Sequence, residues 1–148
     1  MSNHYHLLIR TNQQNLSKTI QWVGTTYTRR FNLKHFSCGH LFQGRFKSIL
    51  VQNEAYLMQL SYYIHRNPLR AGLVNRLADY RWSSYRTYAY KPKHITWLNT
   101  ALILSQFNGK DSYKAYREKV QKYSEEAKIF ENLRHGIVFG TRRYLNKI

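Results

Sequence analysis

The sequence predicts an α+β fold with few strands and several packed helices. In one segment near the N-terminus, residues 3–10, apolar residues recur at every second position, as in a strand. Longer segments repeat apolar residues every three or four positions, as in a helix. Hydrophobic residues make up 43% of the 148 residues, which is enough for a core. We find no repeat and no low-complexity linker. We therefore expect residues 1–94 to form the main body and residues 95–148 a helical C-terminal part packed on it.

The N-terminal third is predicted to hold a strand and then a helix. Residues 3–10 show the alternation of a strand. Residues 16–32 follow as a helix, for which Asn15 is a suitable N-cap. The apolar face of this helix consists of Leu16, Ile20, Val23, Tyr27 and Phe31.

The middle of the chain is predicted to hold an extended segment and a second helix. Residues 41–51 have an extended pattern, with Gly44 as a bulge. The second helix begins after its N-cap Asn53 and ends near Asn67, because Pro68 cannot continue the hydrogen-bond ladder. Its buried stripe consists of Leu57, Leu60 and Ile64.

The pattern is weaker beyond residue 72. Residues 79–90 are predicted to be a loop followed by a short helix. Helices are expected over residues 97–107 and 112–123, and a last short helix over residues 141–148.

The charge of the chain indicates a polyanionic partner. Its 24 Lys and Arg against 7 Asp and Glu give a net charge of +17, too extreme for an enzyme of neutral metabolites. Residues 1–110 hold two of the acids, Glu54 and Asp79, so this stretch is the better candidate for a nucleic-acid face. Aromatic residues, 16% of the chain, suit stacking on unpaired bases, although we expect most of these rings in the core.

Several other classes of protein are excluded. No apolar run is long enough to span a membrane, and no signal peptide opens the chain. The single cysteine, Cys38, excludes an internal disulfide framework and a cysteine-rich zinc site. We therefore expect a cytoplasmic protein.

The first chemical motif is the pair His4 and His6. In a strand both imidazoles would lie on one face, with Cα atoms roughly 6.5 Å apart, close enough to share one metal ion. The alternative is an exposed pair, or one whose hydrogen bonds are satisfied within the protein.

The second motif is the segment from Tyr63 to Pro68. Tyr63 and Asn67 stand four apart and so share one helix face, from which both could point at a metal held by the His pair. Tyr62 and His65 point elsewhere around the helix. The alternative is that Tyr63 is a buried helix aromatic and Asn67 a helix terminator.

Together the motifs resemble the single-tyrosine HUH transposases, in which two His flank a hydrophobic residue. The closest similarity is to the REP-associated tyrosine transposases. The stretches that carry it are residues 1–9, 39–47, 63–74, 80–85 and 133–140.

This resemblance implies a fold and an activity. The fold would be an antiparallel sheet of ferredoxin or RNA-recognition type with packed helices. His4, His6 and Asn67 would hold Mg²⁺ or Mn²⁺, and Tyr63 would be the nucleophile. Family members cut and rejoin single-stranded DNA beside imperfect hairpins, through a 5′-phosphotyrosine intermediate that keeps the phosphodiester energy.

One departure from the family lies at the N-terminus. Family members usually carry a further strand and helix before the His pair, whereas here Met1 almost adjoins it. We therefore expect a truncated copy with a sheet that is incomplete at its N-terminal side. A catalytically inactive DNA- or RNA-binding protein is the alternative function, and a small basic protein of a ribonucleoprotein is another.

Four basic residues are candidates for DNA binding. Arg45 and Lys47 lie two apart in the predicted extended segment, and Arg66 and Arg70 flank the end of the tyrosine helix. Each could instead be a solvated surface charge.

Overall fold

The computed structural model describes residues 1, 3–91, 95–124, 129, 131 and 133–146. It divides into two compact units. The first unit combines Met1–His6 with Ile49–Ile148, and the second unit is Leu7–Ser48. The predicted boundary between residues 94 and 95 adjoins residues outside the described part, and it stays a prediction.

The second unit is built on one long helix, α1 (Leu16–His35), which extends three residues beyond the predicted end. It ends where Phe36 takes the left-handed conformation, with φ 52°. Asn15 is the residue before the helix, as predicted, but its side chain makes no capping hydrogen bond. None of the residues of α1 is fully buried.

Both predicted N-terminal strands need correction. Residues 4–10 have no regular secondary structure, and within residues 41–51 only Leu50–Val51 (β1) is a strand. An alternating pattern shows which side chains share a face, whereas a strand also needs a neighbour to accept and donate backbone hydrogen bonds. Gly44 has φ 80° but lies outside any strand, so it forms no bulge.

Helix α2 (Glu54–Arg70) carries the tyrosine motif in the first unit. Its predicted N-cap is confirmed, because Asn53 Oδ1 accepts a hydrogen bond from the Tyr56 N–H at 3.1 Å. The predicted end near Asn67 is wrong, since the helix passes through Pro68 to Arg70. A proline one turn before a helix end removes one hydrogen bond and does not break the final turn.

The remaining helices of the first unit are short. A 3₁₀ turn at Leu77–Asp79 and the helix α3 (Tyr85–Ala89) agree with the loop and short helix predicted there. The predicted helix over residues 97–107 is reduced to α4 (Ala101–Leu104). Two further helices with described bounds are α5 (Ser112–Lys122), close to its predicted bounds, and α6 (Arg142–Leu145). Residues 147 and 148 of the last predicted helix lie outside the described part.

The sheet of the described chain is small and mixed. Strands β2 (Leu133–Arg134) and β3 (Val138–Phe139) pair in antiparallel fashion, and β1 pairs with β3 in parallel, in the order β1-β3-β2. The predicted α+β class holds at this coarse level. The antiparallel sheet of ferredoxin type is not supported. The chain between β1 and β3 runs through the helices, and such a long crossover lets two strands pair in parallel.

The core of the first unit is an aromatic cluster where α2, α3 and α5 meet. The expectation that most aromatic rings lie in the core is wrong, because fewer than half of the described rings are buried and all three tryptophans are exposed. Five of the buried rings in this cluster are tyrosines. They are Tyr62, Tyr85, Tyr88, Tyr116 and Tyr123. Tyr62 of α2 is buried within this cluster, whereas Tyr63 packs against it and is only partly buried.

Candidate active site

The two histidines of the first motif lie together in the first unit. The ring centroids of His4 and His6 are 5.1 Å apart, with the rings edge to face at 87°. The Nδ1–H of His4 donates to Asn3 Oδ1 at 2.8 Å. This hydrogen bond selects the tautomer in which His4 Nε2 keeps its lone pair, the form that can bind a metal ion.

Helix α2 places Tyr63 beside this pair. The Tyr63 ring centroid is 6.0 Å from that of His6, with the rings close to perpendicular. The guanidinium carbon of Arg70 lies 5.6 Å from the centre of the Tyr63 ring. The phenol therefore has an imidazole and a cation as neighbours.

The electrostatic setting keeps one imidazole neutral. Partial burial of His6, the neighbouring His4 and the positive N-terminus lower the pKa of His6 below 6.5. Neutral imidazole is the form that ligates metals.

Asn67 lies one helical turn after Tyr63 and is 6% exposed. The structure thus brings His4, His6 and Tyr63 together and places Asn67 next along the same helix face. Within the described part of the chain, no group of three or more His, Cys, Asp or Glu is arranged to hold a metal. A metal at this site would therefore rely on the two imidazoles and an amide oxygen.

One protein family matches this chain. Its model, described as "Transposase IS200 like", matches residues 1–67, which include the His pair, Tyr63 and Asn67. Residues 1–67, a little under half of the chain, are therefore similar to the IS200-like transposases. The resemblance to single-tyrosine HUH transposases is supported by this match, which indicates a DNA-processing enzyme. No curated protein and no solved structure matched.

The side of α2 that carries Tyr62 and His65 packs into the core of the first unit. Tyr62 packs against Tyr116 and Tyr123, and His65 is 4% exposed. As the helical spacing predicts, Tyr62 and His65 make their contacts away from Tyr63. Burial and the neighbouring Tyr123 raise the pKa of Tyr62 to about 12, so its phenol stays protonated.

His65 belongs to a buried polar network that the sequence analysis missed. His65 Nδ1 is 2.6 Å from Tyr116 Oη, and His65 Nε2 is 2.9 Å from Ser84 Oγ. Ser61 Oγ also lies 2.6 Å from Tyr116 Oη. Ser61 and His65 stand four apart on α2, so both lie on the same face of the helix. Two polar residues at this spacing on a buried face could have indicated a buried hydrogen-bond network.

The four predicted DNA-binding residues lie in different settings. Arg66 Nη1 donates to the carbonyls of Val120 and Gln121, both at 3.0 Å, and so caps the end of α5. Arg70 is exposed and lies over the Tyr63 ring, whereas Arg45 and Lys47 are exposed in the second unit. Their contact with DNA stays a prediction. No helix in the described part of the chain is both long and apolar enough to cross a membrane.

Proposed function

We propose that this protein is a metal-dependent DNA transposase that cuts and rejoins single-stranded DNA beside REP-like hairpins. The observation that carries the proposal is the cluster of three rings in the first unit. His4 adjoins His6 at 5.1 Å, and His6 adjoins Tyr63 at 6.0 Å. Two imidazoles that can hold a metal ion and a phenol that can act as nucleophile are the groups that this reaction needs. The enzyme would act in the cytoplasm.

The proposed metal site consists of His4, His6 and Asn67, and its ion is Mg²⁺ or Mn²⁺. The donors fit such an ion. The Asn3 contact leaves His4 Nε2 free, the lowered pKa keeps His6 neutral, and an amide oxygen suits hard cations. When bound, the ion would neutralise charge on the scissile phosphate.

Tyr63 is the proposed nucleophile. Its Oη loses a proton and attacks the phosphorus, so that the bond from phosphorus to the 3′ oxygen breaks. The phosphorus is left bonded to Tyr63 as a 5′-phosphotyrosine, and the leaving 3′ oxygen takes up a proton to become a free 3′ hydroxyl. Attack by a 3′ hydroxyl on the same linkage reverses the step and rejoins DNA without another energy source.

The DNA strand would be held by basic side chains. Arg45, Lys47 and Arg70 are exposed. Among their described contacts is the one between Arg70 and the Tyr63 ring. All three are proposed to contact phosphates, which position a strand without reading its sequence. Arg66 is proposed to contribute less, because its Nη1 already donates to backbone carbonyls.

The proposal is tested by measuring metal binding and strand cleavage on the same variants. Calorimetric titration with Mn²⁺ should show one site on the wild-type protein, and an end-labelled hairpin oligonucleotide with single-stranded flanks should be cut. The double variant His4→Ala/His6→Ala should lose both. His40→Ala, which removes another exposed histidine, should keep both.

Unchanged Mn²⁺ binding in the double variant would contradict the metal assignment. Hairpin binding by the wild type without any cleavage would favour the alternative of a non-catalytic nucleic-acid-binding protein. That alternative has one observation in its favour, because the His pair lies on a segment without regular secondary structure.

A further inference from the structure

Helix α1 of the second unit has two different faces. On the predicted apolar face, Leu16, Ile20 and Phe31 are partly buried, whereas Val23 and Tyr27 are exposed. On the opposite face, Lys18, Trp22 and Arg29 are exposed. The Trp22 side chain is 69% exposed, although an indole is among the most apolar surfaces that a protein can bury.

The three exposed side chains form a single row. Their spacings of four and seven residues bring them to the same side of a helix. At 1.5 Å per residue, Lys18 and Arg29 are about 16 Å apart along the axis, with Trp22 between them. We call this row the Trp22 face.

The charge around the Trp22 face has one sign. Leu7–Ser48 contains seven Lys and Arg and no Asp or Glu. One exposed apolar side chain on a surface is ordinary. An exposed indole between two cations, in a segment without acids, is instead the combination that proteins use to hold single-stranded nucleic acid.

We propose that the Trp22 face binds single-stranded DNA, with Trp22 stacked on an unpaired base and with Lys18 and Arg29 on phosphates. The choice of single strand follows from the indole, since the faces of paired bases are covered by their neighbours in a duplex. The choice of DNA rests on the proposed function. The length of the face fits roughly five stacked nucleotides, at 3.4 Å each.

The test is a fluorescence-anisotropy titration of the full chain with a fluorescein-labelled single-stranded oligodeoxynucleotide, in EDTA so that no cleavage occurs. Trp22→Ala should weaken binding by roughly 5- to 150-fold, which corresponds to the loss of one stacked base. Trp22→Phe should restore part of the affinity. Trp82→Ala is the matched control, because Trp82 is 76% exposed beside Arg81 in the first unit, and it should bind as the wild type does.

Salt dependence separates the roles of the side chains. Lys18→Ala and Arg29→Ala should each make the slope of log K against log salt shallower by about 0.7, whereas Trp22→Ala should leave the slope unchanged. Wild-type affinity in Trp22→Ala, an equal loss in Trp82→Ala, or tighter binding to duplex DNA or to RNA of the same sequence would overturn the inference. Far-ultraviolet circular dichroism of each variant checks that α1 is intact.

The binding test of the Trp22 face can fail or succeed independently of the cleavage test of the proposed function. If cleavage fails in the metal-loaded protein while Trp22→Ala still weakens binding, the proposed function is wrong and the Trp22 face stands. If the metal-loaded protein cleaves the hairpin while Trp22→Ala binds single-stranded DNA as the wild type does, the proposed function stands and the Trp22 face is wrong.

Discussion

His65 illustrates how one residue supports the site without touching it. Its ring is buried among Tyr85, Tyr88 and Tyr116, and both of its nitrogens have hydrogen-bond partners. The network joins α2 to α5 and to the residue before α3. Because α2 also carries Tyr63 on its other side, the network fixes the position of the phenol.

Acid should destabilise the protein through His65. Burial lowers the pKa of His65 from 6.5 to about 3, so below pH 6.5 the unfolded chain binds a proton that the folded chain does not. The contribution of neutral His65 to the free energy of unfolding is fully present above pH 6.5. It falls as the pH drops towards 3, by at most about 1.4 kcal/mol per pH unit. Between pH 7.5 and pH 5 this residue should remove about 2 kcal/mol from the free energy of unfolding.

Urea denaturation at the two pH values measures this effect. His65→Gln, which cannot titrate, should show a shallower decline than the wild type, and His135→Asn at an exposed position should not differ from it. An equal pH dependence in His65→Gln and wild type would show that the buried imidazole is not the cause.

At the residue scale the sequence was most informative along α2. The spacing of Tyr62, Tyr63 and His65 was enough to place Tyr63 apart from the other two, because helix geometry fixes the angles between neighbours. The structural role of Arg66 could not be predicted from the sequence, because the carbonyls that it caps belong to a helix more than fifty residues away in the chain.

At the scale of elements, the end of α2 is set by the residues after Pro68. Gly72 has φ 67°, its N–H donates to the Leu69 carbonyl, and the Leu73 N–H donates to the Pro68 carbonyl, both at 3.0 Å. This is a Schellman motif, in which glycine is favoured because it adopts the left-handed conformation without a steric penalty.

Gly72→Ala should therefore destabilise the first unit. A Cβ at this position meets no atom within 4 Å, so the cost comes from the backbone alone and should be about 1–2 kcal/mol. Gly72→Asn should cost less, because asparagine tolerates this conformation. Urea denaturation of both variants provides the measurement, and an alanine variant as stable as wild type would argue against a left-handed Gly72.

Helices were easier to predict than strands for a physical reason. The hydrogen bonds and the capping of α2 and α5 are local, so periodicity together with Asn53 was sufficient. Pairing of β1 with β3 joins Leu50 to Val138, a contact that no local pattern encodes. The alternation in residues 3–10 was real, but it did not specify a partner strand.

At the scale of the whole molecule, net charge is the property that can be calculated most directly from the amino-acid sequence. The net charge of +17 predicts binding of polyanions whatever the details of the fold. The composition did not reveal that an acid-free segment forms a compact unit of its own, because that depends on which contacts the chain makes.

Binding of single-stranded DNA should therefore weaken with salt. If roughly four to six phosphates are contacted, log K should fall against log salt with a slope of about −3 to −4. Arg45→Ala and Lys47→Ala should each make the slope shallower by under one unit and leave sequence preference unchanged, as phosphate contacts do. Anisotropy titrations at several salt concentrations give the slope, and a flat dependence would remove the case for binding through phosphates.

The central claim, that Tyr63 becomes covalently linked to DNA, is tested most directly by capturing that linkage. The full chain is incubated with Mn²⁺ and a hairpin oligonucleotide with single-stranded flanks, denatured in SDS and digested, and the peptide that carries the nucleotide is sequenced. The account predicts an adduct on Tyr63 that Tyr63→Phe abolishes and Tyr62→Phe retains. An adduct that persists in Tyr63→Phe would contradict it.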